Sequence, residues 1–320
     1  MLLNLKLSAQ CERNTDIIIV NWNAGPQLKN CVDSITQFGS GLVNKIIIVD
    51  NGSMDGSETS VEGIAKVTLI RAGENLGFGK ACNLGAKYSN SDYLLFLNPD
   101  AALFDGTLAK VVNFMQEPTN QTVGICGVQL IEESGKISRS CARFPTVTGF
   151  LAHAVGLDRF VPSLGNSMAE WDHSADRQVD QIIGAFFFVR RGFFEQLQGF
   201  DERFFVYFEE VDFSYRAYRA GWRSFYLADT QAFHAGGGTS NQVKARRLFY
   251  SLRSRVLYAF KHFYFPAALT VLATTLLLEP LARSVLAVAR RSLSGFKETW
   301  SGYRMLWAWL PKWLFKNETR

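Results

Sequence analysis

Short, continuous apolar runs alternate with helix-like segments over the first hundred residues, and this alternation constrains the fold more than any other feature. The apolar runs occupy residues 17–20, 45–50, 67–70 and 93–97. The segments between them have helical periodicity and cover residues 26–38, 57–65 and 77–88. Apolar runs without polar alternation are typical of strands that are covered on both faces. The pattern predicts an α/β nucleotide-binding fold with a mostly parallel central sheet flanked by helices.

The regular alternation ends near Gly124, and residues 134–180 are polar and rich in predicted loops. A second ordered block follows, with a strand-like run at 185–189, a helix that ends near Ala220 and a short strand at 224–227. We therefore expect one domain over residues 1–240, with two halves at about 15–125 and 126–240, followed by a separate region at 241–320.

Polar side chains follow three of the predicted strands where each strand ends. Because the carboxyl ends of parallel strands meet at one edge of a sheet, these groups are expected to line a ligand crevice. Turn formation is the alternative, since Asp, Asn and Gly also end strands for purely local reasons. The candidates for nucleotide binding at these ends are Asn21, Asn23, Asp50, Asn51 and Asn98.

A glycine-containing turn opens the third predicted helix and carries Gly77, Gly79, Lys80 and Asn83. Backbone N–H groups at a helix N-terminus suit a diphosphate, so Gly77, Gly79 and Asn83 are candidate nucleotide contacts. The turn does not match GxGxxG, because its third glycine is misplaced. It is not a Walker loop either, because Ala follows the Gly-Lys pair. A purely structural turn explains the motif equally well.

Asp100 and His234 are the candidate metal ligands. Asp100 follows a buried strand and Pro99, and its carboxylate suits Mg²⁺ or Mn²⁺, which prefer oxygen ligands and retain phosphate oxygens. His234 precedes a glycine run that is able to bend over a ligand, and its neutral imidazole suits a further metal contact. The alternatives are a helix cap for Asp100 and an ordinary packed imidazole for His234.

Three acidic residues, Glu209, Glu210 and Asp212, follow a run of aromatic residues. Burying several carboxylates is costly unless they have partners or a function. Arg216 lies one helical turn after Asp212 and is expected to pair with it. Glu210 then remains as the candidate general base. The alternative is an acidic helix start, which the helix dipole favours.

The chain carries opposite charges in its two regions. Residues 241–320 contain 14 Lys and Arg and 3 Glu, a net charge of +11, whereas residues 1–240 contain 20 basic and 26 acidic residues, a net charge of −6. The apolar run at 265–278 is shorter than the ~20 residues that span a bilayer. Basic residues mixed with tryptophans predict helices at an anionic membrane surface. A core-packing helix pair and a nucleic-acid arm are the alternatives, the latter disfavoured by the high apolar content.

The five cysteines are dispersed and odd in number, and this is typical of reduced cytosolic thiols. The N-terminal residues lack the basic leader and apolar stretch of a secretory signal. We therefore expect a protein attached peripherally to the cytoplasmic face of the inner membrane, with no nucleic-acid partner and with homo-oligomers possible.

Taken together, these residues resemble the family 2 glycosyltransferases with the GT-A fold, and most closely their bacterial rhamnosyltransferase-like branch. The likeness covers about residues 15–263. It rests on the order and spacing of motifs at residues 19–23, 48–55, 75–83, 96–100, 184–185, 199–205, 208–212 and 234–238.

The resemblance implies that Asp50 binds the base or ribose, that Asp100 ligates Mg²⁺ or Mn²⁺, and that Glu210 is the catalytic base. It implies an inverting transfer of L-rhamnose from dTDP-L-rhamnose to a polyprenyl-diphosphate-linked saccharide. Residues 1–240 are then the catalytic domain, with a donor half at about 15–125 and an acceptor half at about 126–240, and the C-terminal helices are a membrane-associating extension. Arg246, Arg247 and Arg253, with Glu209, are the candidate contacts to the acceptor and its diphosphate. Two departures concern the usual DxD pair, here Asn98-Pro99-Asp100, and the usual Glu-Asp pair, here Glu209-Glu210.

Three alternatives compete with this interpretation. An oxidoreductase would need GxGxxG after the first strand, where the sequence reads Asn-Trp-Asn-Ala-Gly. A UDP- or GDP-sugar donor with the same fold, or a non-catalytic membrane-associated protein that binds nucleotide sugars, remains as the alternative.

Overall fold

The computed structural model describes residues 14–39, 41–236 and 244–319. In these residues, eight strands form the path of the main sheet in the order β3-β2-β1-β4-β11-β6-β12-β5. In addition, β7 pairs with β6, β9 pairs with β12, and β8 and β10 form a separate pair. Their bounds are β1 (Thr15–Asn21), β2 (Val43–Asp50), β3 (Val67–Arg71), β4 (Tyr93–Leu97), β5 (Ala101–Leu103), β6 (Val123–Ile131), β7 (Ile137–Ser138), β8 (Cys141–Ala142), β9 (Arg177–Val179), β10 (Gln181–Ile182), β11 (Phe186–Arg190) and β12 (Arg223–His234).

Strands β3, β2, β1 and β4 are parallel, and β6 is parallel to β12, whereas β11 and β5 run antiparallel to their neighbours. Within the described part of the chain, ten α-helices accompany the strands. They are α1 (Pro26–Phe38), α2 (Phe78–Ala86), α3 (Thr107–Gln116), α4 (Val147–Val155), α5 (Arg191–Gln196), α6 (Glu209–Arg219), α7 (Lys244–His262), α8 (Phe265–Ala273), α9 (Glu279–Ala289) and α10 (Leu293–Lys316). The predicted fold class, a mostly parallel sheet flanked by helices with a C-terminal helical region, is confirmed.

The apolar runs are buried on both faces of the sheet, as their lack of alternation predicts. In β1, Ile17 and Ile19 pack into the core beside α1 and α3, and Ile18 and Val20 pack into the core beside α2 and α6. Alternate side chains of one strand thus enter two different cores. This double burial fixes the register of the parallel strands, because a shift by one residue would exchange the two faces.

The helix predicted at residues 57–65 is only a short 3₁₀-helix, Ser57–Val61. Glu62 returns to an extended conformation, and Gly63 adopts a φ of 72°, a left-handed value that glycine tolerates best. Because two successive residues have non-helical backbone angles, the 3₁₀-helix ends at Val61. The prediction of a helix up to residue 65 is wrong, because hydrophobic periodicity carries no information about a change of backbone conformation at Glu62 and Gly63.

The C-terminal helices share an apolar core with residues from the preceding part of the chain. Phe150 of α4, Phe204 and Val211 pack with side chains of α7, α8 and α10. The domain boundary predicted at residue 240 lies outside the described residues and stays a prediction. Helices α8 and α9 are joined by a π-helical turn, Thr274–Leu278, so that one continuous helix covers Phe265–Ala289.

This continuous helix has 25 residues and a mean hydropathy of 1.6 in its most apolar window, of which 33% is buried. By length and composition it is able to cross a membrane. The apolar run at 265–278 is too short to span a bilayer by itself. The helix that contains it is longer, because it continues to Ala289.

The buried carboxylate of Asp212 joins α6 to α7. Its side chain is 0% exposed, Arg216 Nε lies 2.8 Å from it, and His262 Nε2 lies 2.7 Å away. Lys261 also pairs with it and with Asp201. Burial alone would raise the pKa of Asp212, but the hydrogen bond from His262 and the charges of Arg216 and Lys261 outweigh it and lower that pKa. The predicted Asp212–Arg216 pair is confirmed.

Replacing Asp212 with Asn should reduce the free energy of unfolding by about 2–4 kcal/mol, because it removes a buried charge that faces three basic groups. Urea unfolding at neutral pH measures the loss. The matched control is Asp33→Asn, which breaks an exposed pair with Lys29 and should cost less than about 1 kcal/mol. Because the pKa of Asp212 is lowered, its contribution is present above about pH 4 and is lost as the pH falls further. A loss equal to that of Asp33→Asn would contradict this role.

Candidate active site

The loops that follow β1 and β2 are joined by buried polar side chains. Asn21 is 0% exposed, and its Nδ2 lies 2.9 Å from Asp50 Oδ1, 3.1 Å from Ser53 Oγ and 2.9 Å from Ser57 Oγ. The backbone N–H of Asn23 donates to Ser53 Oγ at 3.0 Å. The predicted strand ends therefore do converge. Asn21, Asn23 and Asp50 nevertheless do not line the cleft described below. Their hydrogen bonds connect the two loops next to it.

Asn51 fixes the glycine turn that begins α2. Its Oδ1 accepts from the N–H of Leu76 at 2.8 Å, and its Nδ2 donates to Asn75 Oδ1 at 3.0 Å. The N–H of Gly77 donates to the same Asn75 oxygen at 2.9 Å. The amides of Leu76 and Gly77 are thus used inside the protein. These two N–H groups are therefore not directed at a diphosphate. Gly77 itself lines the cleft, and its contact with a nucleotide stays a prediction.

Gly77 also permits a close contact with the segment that precedes α6. Its φ is 79°, and a Cβ at this position would lie 2.2 Å from the carbonyl oxygen of Phe205. The N–H of Phe78 donates to that same carbonyl at 2.7 Å. At Gly79, a Cβ would lie 3.3 Å from Cβ of Glu209. These two glycines therefore allow α2 to pack against the aromatic and acidic segment.

Asn83 links α2 to the chain near Phe200. Its Nδ2 donates to the carbonyl of Phe200 at 2.8 Å, and its Oδ1 accepts from the N–H of Phe200 at 2.9 Å. Asn83 and Gly79 do not line the cleft. Their assignment to nucleotide binding stays a prediction, while the structure gives both a packing role.

Tyr207 and Phe208 turn the chain sharply just before α6. Both adopt left-handed backbone conformations, with φ of 67° and 71°. Side chains other than glycine rarely adopt this conformation, and its occurrence at two successive aromatic residues stores strain of the kind that clusters at functional sites. The turn places Glu209 and Glu210 at the first two positions of α6, where both line the cleft.

The two glutamates form a buried acidic pair. Glu209 is 4% exposed, Glu210 is half-buried, and one carboxylate oxygen of each has no hydrogen-bond partner among the described residues. Burial raises the pKa of both groups, and the neighbouring charge of Glu210 raises the pKa of Glu209 further. Two carboxylates with raised pKa values in a cleft are suited to proton transfer near neutral pH.

Asp100 and His234 meet at the same cleft. The strand predicted at 224–227 is longer in the structure, because an irregularity between Leu227 and Gln231 lets β12 continue to His234. There His234 pairs with Ala101, and its Nε2 lies 3.3 Å from Asp100 Oδ1. Both side chains are nearly buried, at 12% and 9% exposure.

The pair fits a divalent cation that takes its remaining ligands from a diphosphate. A carboxylate oxygen and an imidazole nitrogen are both suitable ligands, and they are adjacent. Within residues 14–39, 41–236 and 244–319 there is no group of three or more His, Cys, Asp or Glu that would form an all-protein site. The glycines that follow Gly236 lie outside the described residues, so the expected loop closure stays a prediction.

These elements surround one cleft of about 560 Å³. Of the residues selected from sequence, the cleft is lined by Asn51, Gly77, Asn98, Asp100, Glu209, Glu210, His234, Arg246 and Arg247. Several lining residues were missed. They are mainly aromatic or apolar: Val20, Trp22, Phe78, Phe205, Val206, Tyr207 and Tyr250. Trp22 could have been found, because it stands between two selected asparagines at a strand end.

Helix α7 of the C-terminal region contributes Arg246, Arg247 and Tyr250 to the wall of the cleft. Arg253, on the same helix, is 3% exposed and does not line it. Its guanidinium lies 5.0 Å from the ring centroid of Tyr250 and 5.7 Å from that of Phe205. The predicted acceptor contact of Arg253 is not supported by this position, because the helix turns that side chain inward beneath the aromatic wall.

The sequence profile described as "Glycosyl transferase family 2" matches residues 16–197, more than half of the chain. The chain belongs to this family. The match ends before α6, so the glutamate pair and His234 lie beyond it.

Relatives and a solved structure extend the likeness of this family 2 chain. It is 28% identical over 247 residues to N-acetylglucosaminyl-diphospho-decaprenol L-rhamnosyltransferase of Mycobacterium tuberculosis, covering 72% of this chain and 79% of the relative. It is 25% identical to rhamnosyltransferase WbbL of Escherichia coli, covering 76% and 91%. The fold matches a Pyrobaculum calidifontis mannosyltransferase in complex with GDP-Man and Mn²⁺ with a TM-score of 0.54, 19% identity and 95% and 88% coverage. The last comparison supports the GT-A fold.

Replacing Asp100 with Ala should weaken the binding of a nucleotide-sugar donor by more than about tenfold in the presence of Mg²⁺ or Mn²⁺, because it removes the carboxylate beside His234. Calorimetry with metal and with chelator measures this difference. The matched control is Asp105→Ala, an exposed carboxylate five positions along the chain, which should bind as the unaltered protein does. Undiminished metal-dependent affinity in Asp100→Ala would place the metal elsewhere.

Proposed function

We propose that this enzyme transfers L-rhamnose from dTDP-L-rhamnose to a polyprenyl-diphosphate-linked saccharide during the synthesis of a bacterial cell-surface polysaccharide such as O-antigen or another cell-wall glycan. The observation that carries the proposal is the likeness, over most of both chains, to a relative named for L-rhamnosyl transfer to N-acetylglucosaminyl-diphospho-decaprenol. The Escherichia coli relative is also named a rhamnosyltransferase. A UDP- or GDP-sugar donor is the alternative.

The reaction we propose is a single displacement that inverts the anomeric centre. An acceptor hydroxyl attacks the anomeric carbon, the bond to the nucleotide diphosphate breaks, and Glu210 takes the hydroxyl proton. The arrangement supports this role because Glu210 lines the cleft, has an unpartnered carboxylate oxygen and is half-buried. Its raised pKa makes it a stronger base than an exposed glutamate.

We propose that Asp100 and His234 hold Mg²⁺ or Mn²⁺. When bound, the ion neutralises the negative charge that develops on the leaving diphosphate. The Mn²⁺ in the complex of the Pyrobaculum calidifontis mannosyltransferase is consistent with this choice of cofactor. Asn51 and Asn98 lie on the wall of the same cleft, where they are candidate contacts to the nucleotide.

The acceptor side of the cleft is proposed to be the wall formed by α7. Arg246 and Arg247 are exposed on that wall, and guanidinium groups suit a diphosphate. The membrane location follows from the acceptor and from the net charge of +11 over residues 241–320. We place the enzyme on the cytoplasmic face of the inner membrane as a peripheral protein.

Glu210→Gln should retain donor affinity and lose transfer by about 10²–10⁴-fold, because the amide keeps the shape of the side chain and cannot accept the proton. Single-turnover transfer and donor binding separate these two effects. Glu209→Gln is the matched control and should be milder, since this side chain packs on Gly79. If Glu209→Gln is the inactive variant, the other glutamate is the base.

The pH profile of transfer gives an independent test of the same group. A base must be unprotonated, so activity should rise with pH through the raised pKa of Glu210, above its ordinary value of 4.5. This acidic limb should be absent from the residual activity of Glu210→Gln. An acidic limb unchanged in Glu210→Gln would contradict the assignment.

The donor is tested by thermal shift and turnover with dTDP-L-rhamnose, UDP-N-acetylglucosamine and GDP-mannose in the presence of Mn²⁺. The melting temperature should rise most with dTDP-L-rhamnose, because binding to the folded state stabilises it by mass action. The shift should disappear in Asp100→Ala. A larger shift with a UDP- or GDP-sugar would overturn the donor, and binding without turnover on any lipid-linked acceptor would favour a non-catalytic protein.

A further inference from the structure

The continuous helix Phe265–Ala289 has two unlike faces. Its outer face exposes Leu277, Leu281, Val285 and Val288, with exposed fractions of 68%, 59%, 70% and 69%. Their spacing of three and four residues places these four side chains on one side of the helix. A large apolar surface of this kind is unusual for a protein face in contact with water, and it indicates a partner.

The inner face of the same helix is fixed to the rest of the protein. Glu279 is 1% exposed and pairs with Arg255 of α7, whose side chain is 6% exposed, and with Arg283. Ala268 and Val271 are buried in the core shared with α7 and α10. A helix that crossed a bilayer alone would have to leave this core and carry the charge of Glu279 into hydrocarbon. The helix therefore lies against the protein with only its outer face available.

A second apolar surface comes from the catalytic part of the chain. At the end of α4 and just after it, exposed apolar side chains follow one another, and Phe160 has an exposed fraction of 84%. They are Val155, Leu157, Phe160, Val161 and Leu164. Helix α4 packs against α8, the π-helical turn and α9. The two apolar surfaces are thus joined through α4. Although residues 134–180 are polar overall, these five apolar side chains are exposed within them.

We propose that residues 155–164 and the outer face of Phe265–Ala289 together form a monolayer-docking face, on which the helix lies in the plane of the membrane without spanning it. The occupant is a lipid monolayer that contains anionic phospholipid. Charge complementarity supports this choice, because the exposed Arg159, Arg290 and Arg291 lie within or next to the two apolar segments. The inference rests on the proposed membrane location and adds how the protein is oriented there.

Helix α4 connects the docking face to the turn that precedes the acidic pair of the cleft. Phe150 of α4 packs on Phe208 with ring centroids 6.2 Å apart, and Phe208 directly precedes Glu209. The helix that carries the apolar loop at its end thus also supports the turn that positions the glutamates. Docking on a monolayer would hold the cleft near the headgroups, where the diphosphate of a lipid-linked acceptor lies.

Flotation with phosphatidylcholine vesicles, with and without phosphatidylglycerol, tests the face. The full-length protein should float with the anionic vesicles, and Phe160→Glu and Val285→Glu should each reduce the bound fraction by about tenfold or more, because each places a charge in the monolayer. Tyr88→Glu is the matched control and should float normally. Tyr88 is 49% exposed and follows α2, outside both segments of the docking face. Normal flotation of Phe160→Glu would remove residues 155–164 from the face.

Cysteine labelling distinguishes lying on the membrane from spanning it. In a Cys11→Ser background the four other cysteines are buried, so Tyr264→Cys and Ser294→Cys introduce one exposed thiol before and one after the helix. With protein bound to the outside of sealed vesicles, a membrane-impermeant maleimide should label both positions. Labelling of only one position would show that the helix crosses the bilayer and would overturn the proposal.

Measurement of the molecular mass tests the other possible occupant, a second copy of the chain. A dimer that does not float and that dissociates in Val285→Glu would identify the face as a protein interface and overturn the proposal. None of these three experiments depends on turnover or on the donor sugar. A wrong donor therefore leaves their outcomes unchanged, and a failed flotation leaves the donor assignment intact.

Discussion

The hydrogen bond from the N–H of Phe78 to the carbonyl of Phe205 holds the two sides of the cleft together. It exists because Gly77 has no Cβ, which would lie 2.2 Å from the same carbonyl. Phe205 is thereby fixed against α2. The left-handed turn at Tyr207 and Phe208 follows directly, and α6 then begins with both glutamates lining the cleft. The position of the acidic pair thus depends on a glycine more than a hundred residues earlier in the chain.

Much of the fold could be predicted from sequence because it follows from local patterns. Strands buried on both faces lack polar alternation, and parallel strands bring their polar ends to one edge. For this reason the chain shows Asp100 at a strand end and Asn51 and Asn98 on the cleft wall, as expected. The pairing of Asp212 with Arg216 was equally predictable, because residues four apart in a helix face each other.

Other features could not be predicted because they depend on backbone geometry or helix phase. The aromatic run before α6 does not show that Tyr207 and Phe208 adopt left-handed conformations. The irregularity between Leu227 and Gln231 allows β12 to continue beyond the predicted strand at 224–227. This continuation brings His234 next to Asp100. Arg253 is one of several arginines of α7, and the residue type alone does not distinguish it from Arg246 and Arg247. Only its position around the helix axis turns its side chain inward.

The buried pair of Arg255 and Glu279 has a practical consequence for handling the protein. Arg255 belongs to α7, which also supplies part of the cleft wall, while Glu279 belongs to the apolar helix. A recombinant truncation that removes the apolar helix to improve yield would strip a buried arginine of its counter-ion. Breaking such a pair costs about 3–5 kcal/mol, a large part of the ~5–15 kcal/mol that stabilises a typical domain. Purification in mild detergent or nanodiscs therefore suits this enzyme better than deletion of its C-terminal helices.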